Sequence, residues 1–119
     1  MTRIALLGTG HMDANIAGRL LAAGARVAAT PADAVRAAEI AITMLTDSAA
    51  VDAVLFGPAG AAAALPHGSY LVEMSTIGPT AVAALRDRLP AGVALVDAPV
   101  SGGVGAAASG KLVVLAGGD

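Results

Sequence analysis

Ile4-Ala5-Leu6-Leu7-Gly8-Thr9-Gly10-His11-Met12-Asp13 is the stretch whose reading decides the fold. Arg3 to Leu7 is a short apolar run without alternation, as expected of a parallel strand covered on both faces. Gly8 allows a sharp turn, and Gly10 allows the backbone to come close to a ligand. Behind the turn, Ala17, Leu20, Leu21 and Gly24 share one face of a helix expected over 11–23, and Gly24 suits its end. The free N–H groups that open such a helix point back at the turn and attract a phosphate. The third glycine of a full G-x-G-x-x-G pattern falls at position 13, which is Asp13.

Working outward, short apolar runs alternate with helical segments. The spacing predicts a strand over 25–29, a helix over 31–38 capped by Thr30 and opened by Pro31, and a strand over 39–45. Asp47 or Ser48 caps a helix over 49–56, which Gly57-Pro58 ends. Residues 59–65 suit one helical turn, and Pro66-His67-Gly68 is a turn. A strand follows over 70–74, then a helix from Pro79 to about 89, a strand over 93–97, and a glycine-rich stretch that turns helical from Val104. The last strand is expected over 111–116. Strands alternating with helices at this spacing predict an α/β fold, an open parallel sheet with right-handed crossovers.

Composition bounds the reading. A length of 119 residues suits one domain, 1–119. At 56% hydrophobic and 13% charged, the chain is not disordered, but alanine supplies much of the apolar content, so the core is thin per residue. A net charge of −2 gives no reason to expect nucleic acid. The absence of Cys removes disulfide and thiol chemistry and fits a reducing, cytoplasmic setting. No apolar run approaches the ~20 residues of a membrane helix, and the first ends at Gly8, too early for a secretory leader. The expectation is a soluble intracellular domain with no membrane partner.

Further along, Asp97-Ala98-Pro99-Val100-Ser101-Gly102-Gly103 is followed by Gly105-Ala106 and Gly110-Lys111-Leu112. Met74-Ser75-Thr76-Ile77 and Thr43-Met44-Leu45 stand after two of the expected strands. With these motifs the chain resembles, over nearly its whole length, the N-terminal NAD(P)-binding domain of the β-hydroxyacid dehydrogenases. That group includes 3-hydroxyisobutyrate dehydrogenase and tartronate semialdehyde reductase. DAPVSGG is the most specific of the segments. The resemblance implies a Rossmann-type fold and NAD or NADP as cofactor. It implies hydride transfer between the nicotinamide and a small 3-hydroxy acid or semialdehyde, with a lysine on a later helix moving the proton. It implies that Gly8, Thr9, Gly10, His11 and Met12 hold the pyrophosphate, that Met44 and Leu45 line the ribose side, and that Thr76 approaches the nicotinamide. Ser101, Gly102 and Gly103 would hold the substrate carboxylate through hydroxyl and backbone N–H donors.

The chain departs from the family pattern in three ways. Asp13 replaces a glycine and puts a carboxylate near the pyrophosphate, so weak cofactor binding is expected. Leu21 to Val27 joins two places that are separate in the family, so one βα unit is missing, together with the strand that recognises the adenosine ribose. The chain also ends before the family's helical C-terminal domain and catalytic lysine, so no catalytic residue is assigned and the chain is expected to be inactive alone. Lys111, beside Gly110, reads as a solvated surface lysine, and His11 and His67 read as turn residues. With no Cys and no clustered ligands, no metal site is expected. Without the helical domain, either self-association or a separate helical partner would cover apolar surface near 100–114. Two other readings stay open: a non-catalytic fragment or assembly module, and a relative of the imine reductases.

Overall fold

The computed structural model describes residues 2–8, 18–101 and 103–118. Each parallel strand is a four-residue apolar segment: β1 Ile4–Leu7, β2 Ile40–Thr43, β3 Tyr70–Glu73 and β4 Ala94–Asp97. They lie side by side in chain order. Ala5, Ala41, Leu71 and Leu95 form one register row, and all are buried. Two residues on, and therefore on the same face, Leu7, Thr43, Glu73 and Asp97 form the row at the carboxyl ends.

Three helices cover that face: α1 Pro31–Val35, α2 Ser48–Phe56 and α3 Pro79–Arg88. Val35, Val51, Leu55, Val82 and Leu85 pack from them into one core with the first register row. Local sequence explains their ends. Thr30 Oγ1 accepts from Asp33 N at 3.1 Å, with Pro31 in the first turn, where no donor is needed. Asp47 caps α2, its Oδ1 accepting from Ala50 N at 2.8 Å. Gly57 ends α2 because a Cβ there would overlap the Ala53 carbonyl. A 3₁₀ turn over Ala62–Ala64 follows, as one helical turn was expected in this segment.

Three expectations are corrected. The first concerns residues 25–29, which form no strand and are exposed, Val27 by 84%. The helix of residues 18–22 ends at Gly24 (φ 101°), where Ala25 N donates to Leu20 O at 3.0 Å, and the chain then runs straight to the Thr30 cap. A strand beside β1 would need a parallel crossover of a dozen or more residues to reach β2, and only residues 30–39 are available. Hence, among the described residues, β1 stands at the end of the strand order.

The second correction concerns cover. β1 is not buried on both faces: Ile4 is exposed while Ala5 and Leu7 are buried. On the far side of the sheet Tyr70 is also exposed, because α1, α2 and α3 all pack on the other face.

The third concerns the last strand. In place of one parallel strand over 111–116, β5 Val100–Ser101 pairs antiparallel with β6 Val113–Val114 across α4 Gly103–Ser109. β7 Gly117–Gly118 then pairs antiparallel with β4. A Cβ on Gly118 would lie 3.3 Å from Leu95 O, so glycine lets this edge strand close up. Among the described residues, no helix is long and apolar enough to cross a membrane.

Candidate nucleotide site at the strand ends

In a parallel sheet the ligand crevice lies outside the carboxyl ends of the strands, because all the following loops start there. In-register pairing of Leu7, Thr43, Glu73 and Asp97 brings four such loops to one edge. The loop after β1 begins at Gly8, whose φ of 145° suits glycine alone. After β2 comes Met44, buried, with its N–H on Leu7 O at 3.1 Å. Leu45 follows, half-buried. After β3 come Met74, its N–H on Thr43 O at 2.8 Å, then buried Ser75 and exposed Thr76. After β4, Ala98 N donates to Glu73 O at 2.8 Å, and the chain continues through Pro99 to Ser101, which is exposed in β5.

The structure thus places Gly8, Met44, Leu45 and Thr76 at the ends of neighbouring strands, with Ser101 and Gly103 one loop further on. Thr9, Gly10, His11, Met12 and Gly102, and with them Asp13, lie outside the described residues. Lys111 is exposed just past α4, its N–H on Ala106 O at 2.7 Å.

Polar groups that sequence reasoning assigned no role stand beneath these loops. Glu73 is 0% exposed. Its Oε2 accepts from Thr43 Oγ1 at 2.5 Å and its Oε1 from Ser75 N at 2.6 Å. Ser75 Oγ in turn accepts from Leu45 N at 2.8 Å. Burial pushes the Glu73 carboxyl above its ordinary value of 4.5 and Asp97 adds to the rise, against hydrogen bonds from Ser75 and Thr43 that pull it down. Period-2 reading reveals the residue: Leu71 faces the core, so Glu73, two positions on, faces the same way.

A second hollow, about 270 Å³ between α2 and α3, contains none of the residues named above as cofactor or substrate contacts. Asp52, Phe56 and Arg88 line part of it, with Arg88 paired to Asp52 and stacked 3.8 Å over the Phe56 ring. Such an exposed pair and stack contribute little and mark a solvated groove, not a reaction centre.

Comparison with known proteins supports the family and the fold. Residues 18–119 match the family described as the NAD binding domain of 6-phosphogluconate dehydrogenase. The NAD-dependent L-serine dehydrogenase of Pseudomonas aeruginosa is 38% identical over 143 positions, covering all of this chain and 47% of that protein. Those 143 positions exceed the 119 residues of this chain by 24. The structure of Mycobacterium tuberculosis 3-hydroxyisobutyrate dehydrogenase with L-serine has a TM-score of 0.83 at 30% identity, covering all of this chain and 47% of the other. That of Psf3 in complex with NADP+ and 2-OPP has a TM-score of 0.83 at 28% identity, covering 98% and 49%. The chain therefore spans about half the length of these relatives.

Proposed function

Because this chain belongs to the family of NAD binding domains described for 6-phosphogluconate dehydrogenase, within the hydroxyacid dehydrogenases, we propose that it is the nucleotide-binding half of an NAD(P)-dependent β-hydroxyacid dehydrogenase. One observation carries this reading. The glycine turn, the Met44-Leu45 loop, the Ser75-Thr76 loop and the DAPVSGG segment all leave adjacent strands at one edge of the sheet. The residues there fit a dinucleotide. Gly8 turns without a side chain, and burial pushes the Glu73 carboxyl at the strand ends above its ordinary value, towards the uncharged form.

In this reading Gly8 to Met12 hold the pyrophosphate, Met44 and Leu45 flank the ribose, and Thr76 stands by the nicotinamide. When bound, the dinucleotide supplies or accepts a hydride at the nicotinamide ring. Ser101, with Gly102 and Gly103, orients a hydroxy-acid carboxylate by hydroxyl and backbone N–H donors. The proton donor is a lysine from a helical partner domain, and exposed Val113, Val114 and Leu115 lie where apolar cover is wanted. A cytoplasmic setting fits the absence of cysteine.

Binding by this chain alone is weak. β1 ends the strand order, so among the described residues no further strand stands beside it to receive the adenosine. Asp13 adds a like charge near the pyrophosphate. The expected dissociation constant is worse than about millimolar. That weakness favours a second reading, a non-catalytic binding module.

NAD+ and NADP+ titrations followed by amide NMR, with turnover assays on 3-hydroxyisobutyrate and L-serine, test both. Shifts confined to the strand ends without turnover support the dehydrogenase half, and Asp13→Gly should tighten the response. No shift with either cofactor, in the unaltered chain and in Asp13→Gly, leaves the non-catalytic reading.

A further inference from the structure

The two loops that follow β2 and β3 are not independent. Beyond the last ladder bond, Leu45 N donates to Ser75 Oγ, Ser75 N donates to Glu73 Oε1, and Thr43 Oγ1 reaches Glu73 Oε2. One side chain therefore ties its own loop to the end of β2, and Ser75 extends that tie to Leu45. Every atom in this chain of bonds is buried or half-buried, so water does not replace a missing partner cheaply. We propose that Glu73 is a positioning residue, whose carboxyl group fixes the spacing between the Met44-Leu45 loop and the Ser75-Thr76 loop. This rests on the reading of those loops as facing the ribose and the nicotinamide.

The bond pattern also accommodates a neutral carboxyl. Thr43 Oγ1 lies 2.5 Å from Glu73 Oε2 and 3.5 Å from Val72 O, and a hydroxyl has one proton to give. If that proton goes to Val72 O, Thr43 accepts from a protonated Glu73 and every member has a partner. Burial favours the same state. Asp97 on β4 is the titratable group that acts on Glu73. From β2 the facing group is the Thr43 hydroxyl. A glutamine reproduces the arrangement: its oxygen accepts from Ser75 N and its NH₂ donates to Thr43. An alanine leaves Ser75 N unpaired and the Thr43 hydroxyl with only its 3.5 Å contact to Val72 O.

The test compares Glu73→Gln with Glu73→Ala in the 119-residue chain. It uses two readouts, amide hydrogen exchange and NAD+ titration by NMR. Glu73→Ala should speed exchange at Leu45 and Ser75 by about tenfold or more relative to Val82, and weaken the NAD+ response by about tenfold. Glu73→Gln should restore both to within about threefold, where a purely steric change would not. The NAD+ response of the unaltered chain should weaken as pH rises through the Glu73 titration, while that of Glu73→Gln stays flat. If Glu73→Ala does not fold, Ser75→Ala cuts the Leu45 tie alone and should free that amide without freeing Val82. Unchanged exchange at Leu45 in these variants, or Glu73→Gln behaving like Glu73→Ala, overturns the proposal. A chain that ignores NAD+ yet shows the exchange pattern refutes the nucleotide reading and leaves the tie intact.

Discussion

Replacing Gly8 and Gly18 by alanine should move stability in opposite directions. Gly8 leaves β1 with φ 145°, a backbone region that side chains avoid. Alanine there costs ~1–3 kcal/mol of strain, offset by ~0.4–1 kcal/mol from a stiffer unfolded chain. The net loss is ~1–2 kcal/mol. Gly18 is helical and exposed, and a Cβ on it meets nothing within 4 Å. Alanine there gains ~0.5–1 kcal/mol, because glycine gives up the most freedom on entering a helix. The two variants should thus differ by ~1.5–3 kcal/mol. Urea unfolding followed by circular dichroism resolves this, since ~1–3 kcal/mol per molar separates the midpoints by about 1 M. If the protein relieves the strain by moving the turn, stability recovers but the loop no longer faces the nucleotide, so Gly8→Ala should also weaken the NAD+ response while Gly18→Ala leaves it alone. A Gly8→Ala chain with unaltered midpoint and unaltered NAD+ response would refute the claim that this turn needs a positive φ.

Leu71→Ala should cost ~3–4 kcal/mol, because Leu71 is fully buried between Ala41 and Leu95 and a small neighbour cannot collapse into the gap; Leu115→Ala, on the surface, should cost under ~0.5 kcal/mol. Asp47→Ala removes the cap on the Ala50 N–H and should lower stability by about 1 kcal/mol in the same unfolding experiment. The pH dependence follows from Glu73. Its carboxyl ionises near 4.5 when unfolded and higher when folded, so the stability it contributes is complete below 4.5 and is lost as pH rises through the folded value. Melting temperatures measured from pH 4.5 upward should fall for the unaltered chain relative to Glu73→Gln, and a constant or opposite difference would exclude a raised folded value.

The functional consequence of the architecture lies at the edge of the sheet. A Rossmann crevice forms where strand order reverses, so that loops from both sides of the first strand enclose the dinucleotide. Here β1 stands at the end of the order, and the described strands run away from it on one side only. The loops that follow β1, β2 and β3 start side by side, because these three strands pair in register.

Much of this protein follows from its sequence alone, where the signal is local. Turn and cap chemistry is local, so Thr30-Pro31, Asp47, Gly57 and Pro79 marked their helix ends correctly. Short apolar runs between them located the four parallel strands, and DAPVSGG with Met74-Ser75-Thr76 pointed to the family. Tertiary structure decided what depends on partners distant in the chain. Ala25 to Ala29 reads as a strand in sequence, but a strand beside β1 also needs a long enough crossover to β2, and residues 30–39 are too few. Lys111 to Ala116 also looks like one strand. Its middle pairs with Val100–Ser101, while Gly117–Gly118 beyond it turns back onto β4, where a Cβ on Gly118 would crowd Leu95 O at 3.3 Å. Glu73 is the clearest case: in sequence it is an acid at the end of a strand. Only Thr43 and Ser75, brought to it by the sheet register and the loop, turn it into a buried, hydrogen-bonded group whose protonation the fold controls.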